Sequence, residues 1–252
     1  MAKQPNSRPG RGRPSSDYTG RSGPDDLAAR LSEMARSLQR EPNLQDTLNA
    51  IVAAAVQTVP GAEHAGAMVV RGRRVVETQA TTDDVVRLVD QAQYDTGQGP
   101  CLDATYQQKT VRLSDMAEER RWPEFSRRIA DAGIRSMLSF QLFVDGGTLG
   151  ALNLYAREIG AFDDESEEIG LLFAAHAAIA MSGAQREQNL TAALSMRDVI
   201  GQAKGILMER HRITADQAFR LLVGVSQHTN VKLVEVARSL AVTGELRESR
   251  GP

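Results

Sequence analysis

The chain holds one thiol, Cys101, in 252 residues. It follows Gly97-Gln98-Gly99-Pro100, a turn able to set a thiol at the mouth of a pocket. Reductive chemistry at a sulfur needs a second cysteine to resolve the sulfenic acid, and none exists here. A buried structural thiol is the plainer reading. A lone cysteine also excludes an intrachain disulfide and a cysteine-based zinc site, and it fits a reducing compartment. The acidic run Asp163-Asp164-Glu165 reads as charge at a helix N-terminus, favoured by the helix dipole, and not as a catalytic carboxylate pair. The four histidines, His64, His176, His211 and His228, are scattered, with no i, i+4 pair to hold a metal. Gly97 and Gly99 are followed by no Gly-Lys-Ser/Thr, so they make no phosphate loop.

The C-terminal segment carries cationic and amide side chains, among them Arg197, Gln202, Lys204, Arg210 and Lys232. Arginine and lysine neutralise phosphates, and a glutamine can read a base edge or a ribose. Between Arg197 and Arg238 seven basic residues face Asp198, Glu209, Asp216 and Glu235. That excess is modest, and a solvated helix face explains it as well as an RNA surface does.

Three short amphipathic helices must carry these groups. Met196, Val199, Ile200, Ala203 and Leu207 recur at helical spacing. At 100° per residue Arg197, Gly201, Lys204 and Met208 fall together beside that stripe. Thr214 and Gln217 form a capping box that starts the second helix, whose apolar face is read as Ala218, Phe219, Leu222 and Val225. Asn230 is read as the third N-cap. Leu233, Val236, Ala237, Leu240 and Ala241 then keep the i, i+3, i+4, i+7, i+8 rule, and Gly244 stops the helix. Gly201 and Gly205 each cost a helix about 1 kcal/mol against alanine. A close backbone approach, by RNA or by another helix, would account for them.

Upstream, Leu27 to Leu38 and Leu44 to Ala55 predict two helices broken at Pro42. Ala67 to Val70 and Val75 to Thr78 predict a strand hairpin across Arg71-Gly72-Arg73. Asp84 to Gln93 and Leu102 to Gln107 read as helical, and Thr110 to Leu113 as a strand. Trp122 opens a helix predicted to reach Ala132. Ser136 to Val144 and Leu149 to Tyr155 are the stronger strands, turning at Asp145-Gly146-Gly147. From Asp164 a helical pattern runs on through Gln185 and Leu190 into the C-terminal segment. Its apolar positions are Ile169, Leu172, Phe173, His176, Ala177 and Ala180, too irregular in spacing for a strict heptad coiled coil.

Two family resemblances follow. Val199 to Met208, with its AKGILM core, then Ala218-Phe219, Ser226-Gln227, Thr229-Asn230 and Lys232-Leu233, resemble the ANTAR domain. Gly97 to Asp103, Leu149 to Tyr155 and Phe162 to Glu165 resemble the GAF domain over roughly residues 27 to 185. Asn153 and Phe162 to Glu165 touch the pattern of cyclic-nucleotide-binding GAF domains, although Leu154 stands where a lysine is expected. The resemblance implies an α+β sensory domain, an antiparallel sheet with helices and a pocket on one face. An all-α three-helix RNA-binding bundle follows it. The expected divisions are a disordered basic tail (1–24), the GAF domain (25–185), a connecting helix (186–195), the ANTAR domain (196–246) and a disordered tail (247–252).

The function implied is signal-responsive transcription antitermination, with the bundle gripping RNA stem-loops in nascent transcripts. Arg197, Gln202, Lys204, Arg210 and Lys232 are then the RNA-binding candidates. The resemblance implies no catalytic residue, no metal and no cofactor, and a small-molecule GAF ligand of unknown identity. A homodimer, paired through the long helix, and a cytoplasmic location are expected. The alternatives are a sensor whose bundle docks protein partners and a GAF-type redox enzyme. No apolar run reaches the ~18 residues that span a membrane, and no apolar stretch follows the basic N-terminus to make a signal peptide.

Overall fold

In the computed structural model the described residues are 24–71, 75–106, 109–145 and 147–246. The tails expected to be disordered, save Pro24, and the turn residues 72–74 and Gly146 lie outside them. Helices α1 (Pro24–Leu38) and α2 (Leu44–Thr58) precede a hairpin of β1 (His64–Arg71) and β2 (Val75–Thr81). Helices α3 (Asp84–Thr96) and α4 (Pro100–Tyr106) lead to β3 (Thr110–Leu113), and α5 (Pro123–Arg128) leads to β4 (Ser136–Val144) and β5 (Gly147–Ala156). The five strands form one sheet in the order β2-β1-β5-β4-β3, with every pairing antiparallel. The helix after Trp122 is shorter than its predicted reach to Ala132. Its last turn closes where Ile129 N–H returns to Phe125 C=O, and Gly133 follows at φ 78.

Alternation along the strands gives the sheet two unlike faces. Leu138, Phe140, Leu142, Leu152 and Leu154 point to one side and pack with α1, α2 and the start of the long helix in a wholly aliphatic and aromatic core. Gly170 lets that helix close on the sheet, since a Cβ there would stand 2.3 Å from the Phe140 ring. The opposite face carries Met137 and Tyr155 beneath α3, α4 and α5, with Val86, Val89, Phe125 and Ile129 above them. Ser139 and Asn153, paired across β4 and β5, also point to that second side and are fully buried.

One helix, α6, runs from Asp164 to His211 without a break, 48 residues or about 72 Å at 1.5 Å per residue. Asp163 caps it, with Ser166 completing a capping box, and Asp164, Glu165 and Glu167 fill the first turn. The backbone N–H of Ser166 holds the Asp163 carboxyl below its ordinary value, as the dipole reading of this run requires. The segment 186–195, read as a connecting helix, lies inside α6, which also supplies the first helix of the C-terminal bundle. Helices α7 (Ala215–Thr229) and α8 (Leu233–Thr243) complete that bundle around Ala203, Leu207, Ala218, Leu222, Val236, Ala237 and Leu240. Thr214 and Gln217 form the expected capping box. Asn230 does not cap α8. It ends α7 in the left-handed conformation at φ 53, and Lys232 is the N-cap of α8. Asparagine serves both roles, and the tight turn here needs the left-handed one.

Candidate nucleic-acid interface

The bundle's buried side chains fix which groups face outward. Ala203 and Leu207 point into the core, which turns Lys204 and its neighbours along α6 toward α7. There Arg197, Gly201, Gln202, Lys204 and Phe219 line an open groove of about 930 Å³, with Met196, Ile200 and Asp198 on its walls. The structure thus brings Arg197 and Lys204 to one side of α6, whereas Gln202 stands about 160° round the helix from Lys204 and also borders a cleft on the α8 side. Among the described residues neither Arg197 nor Lys204 has a carboxylate within 4 Å.

Arg210 lies on the α8 side of the same helix, beside a second cleft shared with Gln202, Gly205 and Glu209. Its Nη1 donates to the Gly244 carbonyl at 2.6 Å, satisfying the end of α8. Lys232 is exposed at the α7–α8 turn and lines neither cleft. A Cβ built on Gly201 or on Gly205 meets nothing within 4 Å. Packing inside the chain therefore explains neither glycine.

Phe219 departs from its expected place. Ala218 and Leu222 are fully buried, yet Phe219 is 40% exposed. At 100° per residue it stands about 90° off the line of Ala218, Leu222 and Val225, so its ring edges the core and faces the groove. That angle is the signal in the sequence that marks it.

A second polar cluster lies inside the N-terminal domain, and the sequence reading assigned it no role. Asp90 on α3 is fully buried. It accepts hydrogen bonds from the Tyr155 hydroxyl, from Thr78 Oγ1 at 2.7 Å and from Gln93 Nε2 at 3.2 Å. The Tyr94 hydroxyl reaches Thr78 Oγ1 at 2.7 Å, and Gln93 Oε1 accepts from the Cys101 backbone N–H at 3.0 Å. Gly99, at φ 141, makes room for that last contact, since a Cβ there would stand 2.3 Å from Gln93 Oε1. Burial raises the Asp90 carboxyl to about 6, against the lowering effect of its three hydrogen bonds. Burial likewise pushes the Cys101 thiol up, with the Asp90 charge adding to it. A buried thiol held protonated is a poor nucleophile. Nearby on the same sheet face Ser139 Oγ and Asn153 Oδ1 are buried without a hydrogen-bond partner. Among the described residues no group of three acidic, histidine or cysteine side chains is placed to hold a metal.

Family comparison decides the architecture. A GAF domain model matches residues 41–182, more than half of the chain, and an ANTAR domain model matches residues 188–240. The chain belongs to the GAF domain family and carries a C-terminal ANTAR domain. The ANTAR match includes the whole groove, and the GAF match includes the whole Asp90 cluster. Among solved structures, the GAF domain of a phosphoenolpyruvate-protein phosphotransferase from Coxiella burnetii aligns at TM-score 0.51 and 17% identity. That alignment covers 65% of this chain and 96% of the other. The phytochrome photosensory core module of Stigmatella aurantiaca aligns at TM-score 0.56 and 10% identity, covering 83% of this chain and 46% of its own. A bacteriophytochrome from R. palustris aligns at 0.55 and 11%, covering 84% and 48%. This chain thus spans about half the length of either phytochrome. At these identities the likeness is one of fold. No curated protein matches the chain by sequence.

Proposed function

We propose that this GAF–ANTAR protein is a signal-responsive RNA-binding regulator acting by transcription antitermination. The observation that carries the reading is the open groove within the ANTAR domain. There Arg197 and Lys204 share one side of α6 with Gln202 at the rim, and the two cations have no carboxylate partner among the described residues. The groove offers positive charge, an amide and an exposed ring, a combination suited to single-stranded loop nucleotides. The GAF domain supplies the input, and α6 is the physical link, since one helix belongs to both domains. A signal acts only through its differential affinity for two arrangements of that helix, about 1.4 kcal/mol for each tenfold change in output.

The same helix supports a homodimer. Ile169, Phe173, Ala177 and Ala180 are taken up by the domain's own core, so these stripe positions are not free to pair. Leu172, expected in that stripe, is instead 50% exposed, on a line with Ile179 at 58%, Leu190 at 62% and Leu194 at 54%. Their separations of seven, eleven and four residues are close to whole helical turns. No helix among the described residues is long and apolar enough to cross a membrane, and a cytoplasmic site of action follows from the transcriptional role.

The test is recovery of transcripts cross-linked to the full-length protein in its native host. The expected result is a set of leaders sharing stem-loops, lost when Arg197 and Lys204 are both changed to Ala. Recovery of proteins but no enriched RNA would favour the docking alternative and overturn the reading.

A further inference from the structure

We propose that the groove between α6 and α7 holds an unstacked nucleobase of the bound RNA loop. Phe219 is the stacking platform, and Arg197 and Lys204 engage the phosphates on either side. The inference rests on the RNA-binding reading and names the ligand chemistry of its site.

Three independent observations meet here. The first is the ring. Phe219 is 40% exposed on a helix whose neighbouring apolar residues, Ala218 and Leu222, are fully buried. The bundle core closes without it. An aromatic face left in water has a π surface free for any base, and stacking of this kind is tolerant of base identity. The second is the floor. Gly201 lines the same groove, and nothing stands within 4 Å of where its Cβ would be. A flat ring can therefore lie against bare helix backbone. Alanine would be the better helix former there, and no contact within the chain calls for glycine. The third is charge. Arg197 and Lys204 are seven residues apart, two turns along one side of α6, and both line the groove. Asp198, on the wall, is the one carboxylate of the lining.

The ring and the cations leave different signatures. Loss of a phosphate contact lowers the salt dependence of binding, by about one in the slope of log K against log salt. Loss of a stacked base lowers affinity at every salt concentration and leaves the slope unchanged.

The experiment uses the full chain and a stem-loop selected from a pool with randomised loops, measured from 50 to 200 mM salt. Phe219→Leu keeps an apolar side chain and removes the π face; it is expected to weaken binding about 5- to 100-fold with the slope unchanged. Phe219→Trp is expected to restore affinity, and circular dichroism melts of both variants show whether the bundle stays folded. Abasic substitution is then scanned through the loop. One position should cost wild type about as much as Phe219→Leu does, and cost Phe219→Leu almost nothing more. Equal affinity of Phe219→Leu and wild type overturns the proposal, and so does an abasic scan with no such coupled position. If the wild type binds no selected stem-loop at 50 mM salt, the RNA-binding reading itself falls, and this proposal with it. If Phe219→Leu changes the sedimentation mass and not RNA affinity, a second copy of the chain fills the groove, which also overturns it.

Discussion

Asp90 illustrates how far a single residue can depart from its sequence pattern. Read on the sequence, it is one polar position on a short helix. In the fold it is a buried carboxyl held by Tyr155, Thr78 and Gln93, and burial outweighs these bonds and the Arg87 charge to raise its value from an ordinary 3.8 to about 6. Between these values the native protein keeps a proton that the unfolded chain has lost. Stability therefore falls as pH rises from about 4 to about 6 and stays lower above it, by up to roughly 3 kcal/mol. Asp90→Asn removes the charge and preserves the pattern: its Oδ1 accepts from Tyr155 and Gln93, and its Nδ2 donates to Thr78. The variant is expected to melt at a higher temperature than wild type at pH 7.5. Below pH 4 that advantage should be gone. Thermal melts at the two pH values decide it, and an equal offset at both would refute the assignment. Cys101 belongs to the same scale. Its isolation in the sequence excluded a resolving partner, but its protonated, buried state required the packing of α4 against the sheet.

Helices and strands were legible where the pattern is periodic and bounded by stops. The β1–β2 hairpin strands, β4 and β5, the capping box at Thr214 and the unbroken run into α6 all follow from spacing and caps. Other readings failed for physical reasons. Asn230 satisfies either end of a helix, and only the chain's path between α7 and α8 selects the left-handed one. The apolar stripe from Ile169 to Ala180 shows that α6 buries a face but not against what, and the domain's own sheet claims it. Of the candidate interface, the placing of Arg197 and Lys204 on one side of α6 was legible from their spacing. Arg210 is drawn to the Gly244 carbonyl by the approach of α8, a contact between residues 34 apart that no local pattern reports. Gly201 gives a test at this scale. Gly201→Ala meets no atom within 4 Å and removes backbone entropy from the unfolded chain, so the bundle should gain about 0.5–1 kcal/mol. A methyl on the floor of the groove should at the same time weaken RNA binding. A stabilised variant with wild-type affinity would show that RNA does not approach the backbone there.

At the scale of the whole molecule α6 is the organising feature, since 48 residues connect the GAF core to the proposed RNA face without a break. Its exposed line of Leu172, Ile179, Leu190 and Leu194 predicts a dimer. Sedimentation should give about twice 27.4 kDa. Leu190→Glu with Leu194→Glu should reduce the mass to that of one chain while the circular dichroism spectrum stays helical, because both residues are already solvent-facing in one copy. A wild-type monomer, or a double variant that remains dimeric, would remove the pairing from the account. The central claim is that the bundle grips RNA through Arg197 and Lys204, and the most direct measurement is the salt dependence of stem-loop binding by the full-length protein. Wild type is expected to lose affinity steeply between 50 and 200 mM salt, linear in log salt, and Lys204→Ala to bind more weakly with a slope shallower by about one. A wild-type affinity indifferent to salt, or a Lys204→Ala variant of equal stability with unchanged affinity and slope, would contradict it.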